Sequence, residues 1–233
     1  MYFFLKFVLV VFASVQFANL CTTIYLHRGL AHRALTFSKP MEFFLRFFLW
    51  LTTTITRQEW VAVHRKHHAF TDQEDDPHSP LVKGFWNIQL WNYFYYRREA
   101  NNPEVIQTYS ADIPPDAFDR LSRFWWLPML LLLGIFIAVL GPIWGLIALP
   151  THFLSYVVLN STINGAGHWF GYRHHDNSGT NIWTVALITA GEGFHNNHHN
   201  KPASAKLMNR WWEIDLGWYA IYLFSVLRLV KVR

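Results

Sequence analysis

The sequence predicts an all-α protein in which several helices span a membrane and the remainder forms a helical cap on the cytoplasmic side. Two observations support this class. Of the 233 residues, 52% are hydrophobic and only 15% are charged, and two long stretches contain no Asp, Glu, Lys or Arg. This apolar content exceeds what a soluble domain of this size needs. We therefore expect one domain over residues 1–233. Its +5 net charge would suit an anionic membrane surface, an acidic small molecule or nucleic acid, and composition alone does not choose among them. Together with the apolar stretches and the motifs below, we expect a membrane and no nucleic acid as partner.

The first charge-free stretch runs from Phe7 to Leu26. Its length is that of an apolar helix that crosses a bilayer, so we predict a span over about residues 4–26. A secretory signal peptide is the alternative, because Lys6 followed by an apolar run resembles one. No small-residue cleavage site separates that run from His27, which favours the span.

The second charge-free stretch runs from Phe124 to Tyr172 and is interrupted at Gly141 and Pro142. Glycine permits a turn there and proline removes a backbone donor. We therefore predict a hairpin of two spans, over about residues 124–140 and 143–163.

Basic residues indicate the orientation of these spans. They follow the first span and flank both open ends of the hairpin, at Arg28, Arg33, Lys39, Arg120, Arg123 and Arg173. Because Lys and Arg accumulate on the cytoplasmic side, the N-terminus is expected outside. Two shorter apolar segments, a helix over about residues 41–56 and the run 216–230, are expected to lie at the membrane interface.

Thirteen histidines beside a single cysteine, Cys21, are the unusual feature of the composition. One cysteine excludes a disulfide scaffold, a thiolate zinc finger and a cysteine-ligated iron–sulfur cluster. Imidazole, by contrast, transfers protons and is the commonest protein ligand for metals. The positions of the histidines therefore bear on function.

Eight histidines form three clusters: His27 and His32; His64, His67 and His68; and His195, His198 and His199. In the second and third clusters the spacing i, i+3, i+4 puts the rings on one helical face, the second and third each within roughly 60° of the first. The i, i+5 spacing of the first cluster does not suit a continuous α-helix. We expect that helix to end at His27, with Gly29 letting His32 swing back.

Asn164 and His168 have i, i+4 spacing at the cytoplasmic end of the last span, which predicts an amide and an imidazole side by side. The other histidines are interpreted as structural residues: His78, His152, His174 and His175.

The clustered histidines and His168 make nine imidazoles that indicate a dinuclear metal site. As a solvated face they would repel one another when protonated, and as a buried set each would need its own hydrogen-bond partner. Metal ions satisfy them together, and one first-row ion accepts at most about six ligands. Imidazole suits Fe, Zn, Cu and Ni alike, so the ligand type leaves the metal open.

The motifs resemble those of the integral-membrane fatty acyl desaturases of the stearoyl-CoA desaturase type. They are HRGLAH, HRKHH, HNNHH and NGAGH, in the contexts EWVAVHRKHH, DPHSP, GYR and GEGFHNNHHN, and the similarity runs from about Leu20 to Arg228. The resemblance implies two iron ions, with Asn164 reaching one of them through water. The implied iron ligands are His27, His32, His64, His67, His68, His168, His195, His198 and His199. Zinc could replace iron in a recombinant sample.

The implied reaction is O2-dependent. Two hydrogens are removed from adjacent carbons of an acyl chain to leave a cis double bond, by resemblance at Δ9 of a C16–C18 chain. The sequence contains no flavin or haem motif, so two electrons must come from an external carrier of the cytochrome b5, ferredoxin or rubredoxin type. A basic face formed by Arg65, Lys66, Arg97 and Arg98 could dock an acidic carrier.

The acyl carrier stays open between CoA, a lipid and a carrier protein. Acyl-CoA enzymes of the family have an Arg-Asp pair before the second box, where this chain has Ala62 and Val63. Arg97 and Arg98, however, resemble the family's basic pair that meets CoA phosphates.

Candidate residues of the substrate wall are Trp60, Ser161 and Trp169, each close in sequence to a proposed ligand. The family also has two spans before the first box, where this chain has room for one.

Two other functions are compatible with the motifs. Histidine-box membrane enzymes can hydroxylate a chain instead of desaturating it, and a histidine-rich membrane protein can transport or sense metal. A transport path should run through the bilayer, and only His152 lies within a predicted span, which favours catalysis.

Overall fold

The computed structural model describes residues 2–233, with side chains from residue 3 onward, and is mostly helical. Its α-helices are α1 (Tyr2–Cys21), α2 (Lys39–Thr53), α3 (Arg57–Ala69), α4 (Pro80–Lys83), α5 (Phe85–Ala100), α6 (Pro103–Ser110), α7 (Ala117–Leu121), α8 (Trp126–Leu140), α9 (Pro142–Asn164), α10 (Trp183–Ile188), α11 (His195–Asn200) and α12 (Leu216–Val226). Strands β1 (Leu35–Phe37) and β2 (Val230–Val232) pair antiparallel, which joins the segment after the first histidine box to the C-terminus.

The first helix does not end at His27, so that sequence prediction is wrong. α1 continues into a π-helical segment, Thr22–Ala31. Its hydrogen bonds join residues five apart, and the His32 N–H donates to the His27 carbonyl at 3.1 Å. Such segments occur frequently at functional sites. Residues five apart share a face in this geometry, and the His27 and His32 ring centroids lie 4.8 Å apart.

The predicted apolar hairpin corresponds to α8 and α9, which meet at Gly141 with a φ of +82°. By length and composition, two described helical stretches could cross a membrane, Phe3–Ala31 and Pro142–His168, whereas α8 and α12 are shorter apolar helices.

α1 packs against this hairpin with its N-terminus near the turn. Lys6 Nζ donates to the Val139 carbonyl at 2.6 Å. Nearer the histidines, the hydroxyls of Thr22 and Tyr156 lie 2.8 Å apart. The histidine-bearing end of α1 therefore lies beside the C-terminal end of α9. His152 is held between α1 and α2 through Ser14 and the Thr52 carbonyl.

The helix predicted over residues 41–56 is α2, which ends at Thr53, where Thr54 adopts a left-handed backbone. Its Leu45 and Leu49 are buried, whereas Phe43 and Phe44 are exposed. α12 is the helix predicted within residues 216–230, and it ends at Val226 before the chain turns into β2.

Candidate metal centre

The eight clustered histidines and His168 come together in two adjacent groups, although they lie on distant parts of the chain. Within each group the candidate ligand atoms are within 4.8 Å of one another. The first group consists of His27, His32, His64, His68 and His198, and the second of His67, His168, His195 and His199.

In the first group the Nε2 atoms of three sequence boxes converge. His198 Nε2 lies 3.1 Å from His27 Nε2 and 2.9 Å from His68 Nε2. His32 Nε2 lies 2.8 Å from His64 Nε2. The π-helical segment, α3 and α11 therefore each supply part of this group.

The second group is arranged in the same way. His195 Nε2 lies 2.9 Å from His168 Nε2 and 3.1 Å from His199 Nε2. His67 Nε2 lies 3.3 Å from His199 Nε2. Its members come from α3, α11 and the 3₁₀ turn Ala166–His168.

Neighbouring positions on one helix serve different groups. On α3, His64 and His68 belong to the first group and His67 to the second, and α11 divides its three histidines likewise. Residues at i+3 and i+4 diverge to either side of residue i by about 60° or less. These two short helices therefore hold the two groups side by side.

Three carboxylates contact the outer nitrogens of the histidines, and that of Asp76 is fully buried. His27 Nδ1 lies 2.8 Å from Glu192, His67 Nδ1 3.0 Å from Asp76, and His168 Nδ1 2.7 Å from Asp72. An Nδ1–H that donates to a carboxylate leaves the Nε2 lone pair facing inward, which is the usual arrangement behind metal-bound histidine. Sequence reasoning missed these carboxylates. Their positions in the sequence, shortly after the second histidine box or shortly before the third, could have identified them.

Burial keeps these imidazoles neutral. It lowers the pKa well below the usual range, with neighbouring positive charge as a further cause, for His32, His64, His68, His195, His198 and His199. Burial alone would raise the pKa of Asp76, but its hydrogen bond from His67 lowers it below the usual range. The centre thus combines neutral imidazoles with an ionised carboxylate beside them.

This donor set fits two metal ions. A neutral imidazole has one N–H, and when its Nδ1–H donates to a carboxylate its Nε2 can only accept. The converging Nε2 atoms therefore cannot all form hydrogen bonds with one another. Their observed separations of 2.8 to 3.3 Å match the distance of about 3 Å between adjacent ligands around an ion whose metal–nitrogen bonds are about 2.1 Å.

Asn164 and His168 do not share a continuous helix, which corrects the sequence interpretation. α9 ends at Asn164, and the following backbone forms a tighter turn in which the His168 N–H donates to the Gly165 carbonyl at 3.3 Å. Asn164 instead lines a cavity beside the histidines.

His78, interpreted from sequence as structural, lies next to the second group. Its ring centroid is 4.8 Å from that of His67, and neither ring nitrogen has a partner within the described chain. Burial lowers its pKa to about 3. The sequence signal was its place after Asp76, whose carboxylate accepts the His78 backbone N–H.

A cavity of about 620 Å³ extends from the histidines. Four histidines and two predicted wall residues are among those that line it: His27, His64, His78, His195, Trp60 and Ser161. The Trp60 ring stacks on His64 with 4.8 Å between centroids.

Three predicted substrate residues are not among those that line this cavity. Trp169 is half exposed and packs against Phe85. Arg97 pairs with Glu59 at 3.1 Å. Arg98 lines a separate cleft whose other residues include Glu74 and Asp75.

Two residues of the predicted basic face are also paired. Arg65 binds Asp112 and the carbonyls of Leu30 and Ala31, and Lys66 binds Glu99 at 2.7 Å. Their charges are largely offset by acidic neighbours, which weakens the case for this face as a docking surface.

Gly191, directly before Glu192, is tightly constrained. Its φ is +99°, and an added Cβ would overlap the Asp215 carboxylate. We expect Gly191→Ala to destabilise the fold by more than about 1 kcal/mol and to weaken metal retention, because Glu192 positions His27. Thermal unfolding and metal content of the purified protein measure both effects.

Gly134→Ala is the matched control for that substitution. Gly134 lies in α8 with nothing within 4 Å of the added Cβ, so this change should be neutral or slightly stabilising. Equal melting temperatures for the two variants would contradict the assigned constraint.

Comparison with known proteins agrees with this geometry. The family model for fatty acid desaturases matches residues 3–223. The chain is 35% identical to an sn-1 stearoyl-lipid 9-desaturase of Synechocystis sp. over 219 residues, and 34% identical to an sn-2 palmitoyl-lipid 9-desaturase of Nostoc sp. over 232 residues. It is 33% identical to Delta-9 acyl-lipid desaturase 2 of Arabidopsis thaliana over 232 residues.

These matches cover 90%, 96% and 94% of the chain, and 65%, 79% and 72% of the respective relatives. The chain thus spans about two thirds to four fifths of the length of these proteins. With the match of the family model over nearly its whole length, this chain belongs to the fatty acid desaturase family.

Proposed function

We propose that this chain removes one hydrogen from each of two adjacent carbons of a long fatty acyl chain and leaves a cis double bond. In this reaction O2, two external electrons and two protons combine with the two hydrogens to give two water molecules. The chain belongs to this family, and the observation that supports the proposal most is the mostly apolar cavity, which is lined by histidines of both groups.

Two iron ions are the proposed metals. Their ligands would be the nine histidines of the two groups, with Asn164 contributing through water. An unactivated methylene offers no acidic proton to a side-chain base, so its oxidation requires an oxidant made from O2. Bound iron would supply that oxidant.

The protein's part is positioning. Glu192, Asp76 and Asp72 hold the rings of His27, His67 and His168 through their Nδ1 atoms, which keeps the ligands oriented. The cavity wall, including Trp60 against His64, would hold one pair of carbons nearest the metals and exclude bulk water.

The electrons would come from a separate protein of the cytochrome b5, ferredoxin or rubredoxin class. Two of the relatives are named for a 9-desaturase activity on stearoyl-lipid or palmitoyl-lipid. We extend the position of that double bond, Δ9, to this protein.

Metal transport is less well supported. His152, deep in α9, is occupied by Ser14 and the Thr52 carbonyl, and it belongs to neither histidine group. A metal-transport path would instead need a series of histidines without other hydrogen-bond partners along the apolar helices.

Expression in a host that lacks its own desaturase tests the proposal. Gas chromatography–mass spectrometry of the lipids should find monounsaturated chains with the double bond at Δ9. Chains that gain an oxygen atom would identify a hydroxylase. Saturated chains alone, with iron loaded and a reductant supplied, would contradict the proposed function.

The proposed topology places the metal centre on the cytoplasmic side. Tags at the N-terminus and at Gly141 should report the outside, and tags near Pro115 and at Arg233 the inside. The contact of Lys6 with Val139 supports the placement of the N-terminus and Gly141 at the same end of the helices. Opposite locations for the N-terminus and Gly141 would overturn this arrangement.

A further inference from the structure

Helix α5 presents two polar side chains to the mostly apolar cavity. Asn92 and Tyr96 are one helical turn apart and both line it. Asn92 is 6% exposed. Within the described part of the chain, neither the Asn92 Oδ1 nor the Tyr96 hydroxyl has a hydrogen-bond partner.

Buried polar atoms without partners carry a free-energy cost unless a ligand satisfies them. Burial raises the pKa of Tyr96 well above its usual range, so its hydroxyl remains a donor. The Asn92 amide can present either its oxygen or its NH2 group. A long acyl chain has one polar group to offer such a pair, the carbonyl that joins it to its carrier.

The same helix and the residue directly before α8 form an exposed apolar edge of the cavity. Trp91, Phe94 and Trp125 line it and each leaves more than half of its surface exposed. Leu154 of α9, also a lining residue, is 66% exposed. This edge is continuous with the exposed side of α9, a candidate membrane span, and aromatic residues are typical of the membrane interface.

Charge argues against CoA at this edge. Among the described residues that line the cavity, none is Lys or Arg, whereas the CoA phosphates need such cations. Arg97 is held by Glu59 and Asn101. Arg98 lies in a cleft that also contains two lysines, but its carboxylates outnumber its cations: Lys66, Lys83, Glu74, Asp75, Asp76 and Glu99.

We propose that Asn92 and Tyr96 hold the ester group of a glycerolipid-linked acyl chain, which enters the cavity from the bilayer past Trp91, Phe94 and Trp125. This inference rests on the proposed desaturase function and names its acyl carrier. If the ester is held in one place, the depth to which the chain enters the cavity is fixed. The double bond would then form at a constant number of carbons from the carbonyl carbon.

The first test compares carriers. Purified, iron-loaded protein with a reductant and an electron carrier is given ¹³C-labelled stearoyl groups, either in nanodiscs of stearoyl-oleoyl phosphatidylcholine or as stearoyl-CoA. We expect the lipid to be converted at least about tenfold faster. Equal or faster conversion of stearoyl-CoA would overturn this inference and leave the proposed function standing, whereas conversion of neither carrier would count against the proposed function itself.

The second test loosens the proposed ester contact. Tyr96→Phe removes the hydroxyl and keeps the ring, and Asn92→Leu replaces the amide at similar size. For each we expect about a tenfold lower kcat/KM for the lipid, the size of one hydrogen bond, and double bonds spread to neighbouring positions.

Tyr95→Phe is the matched control, because Tyr95 lies on the same helix but lines the other cleft. It should retain the parent rate and a single double-bond position. Iron content and melting temperature identify a variant that has misfolded. A single double-bond position and parent rates in both Tyr96→Phe and Asn92→Leu would overturn the assignment.

Discussion

Replacing His198 by alanine should abolish desaturation and lower the iron content from about two ions per chain to about one. His198 Nε2 lies within 3.1 Å of the Nε2 atoms of both His27 and His68. Its loss would therefore open the first group while leaving all four members of the second in place. Metal analysis after anaerobic iron reconstitution, together with product analysis, measures the two effects.

His175→Ala is the matched control for this variant, because His175 belongs to neither group and contacts Asn209. It should retain both ions and turnover. Zinc in a recombinant sample would not count against the result, since zinc outcompetes ferrous iron at such sites. A parent protein that binds one ion or none after reconstitution would contradict the dinuclear centre.

Asp215→Ala should be severely destabilising. Asp215 is fully buried and accepts two hydrogen bonds from the buried Arg28, at 2.9 and 3.1 Å. It also accepts the backbone N–H groups of Leu207 and Trp218. Removing one partner leaves a buried charge unpaired, which costs about 3–5 kcal/mol. We expect a melting temperature lower by roughly 10 °C or more, or failure to accumulate.

This variant should also affect the metal centre, because Arg28 directly follows His27. Asp112→Ala is the control, since Asp112 forms its ion pairs with Arg33 and Arg65 near the surface. Pairs of that kind contribute about 1 kcal/mol or less. Similar melting temperatures for the two variants would show that the Arg28–Asp215 pair is not buried as described.

Several features followed from local sequence patterns alone. The charge-free run interrupted at Gly141 predicted α8 and α9 to within two residues at each end. The i, i+3, i+4 spacing predicted that α3 and α11 each present three histidines to one side, and the rings do converge. Such patterns are readable because helical periodicity relates residues only a few positions apart.

Other local features were misread. The i, i+5 spacing of His27 and His32 was taken as the end of a helix, but a π-helical segment accommodates it. The spacing of Asn164 and His168 was taken as helical, but α9 ends at Asn164. In both cases the backbone departs from the α-helical repeat that the interpretation assumed, and it does so beside the histidines.

By itself the sequence determined the helical class, the apolar segments and the nine histidines that suit a pair of metals. Only the tertiary structure decided how those histidines divide into two groups and which carboxylates stand behind them. It also decided that Arg97 and Arg98 pair with or face acidic residues outside the cavity. The physical reason is distance along the chain. His27 meets His198 and Glu192 across more than 160 residues, and contacts of that range depend on how whole helices pack, which no local period encodes.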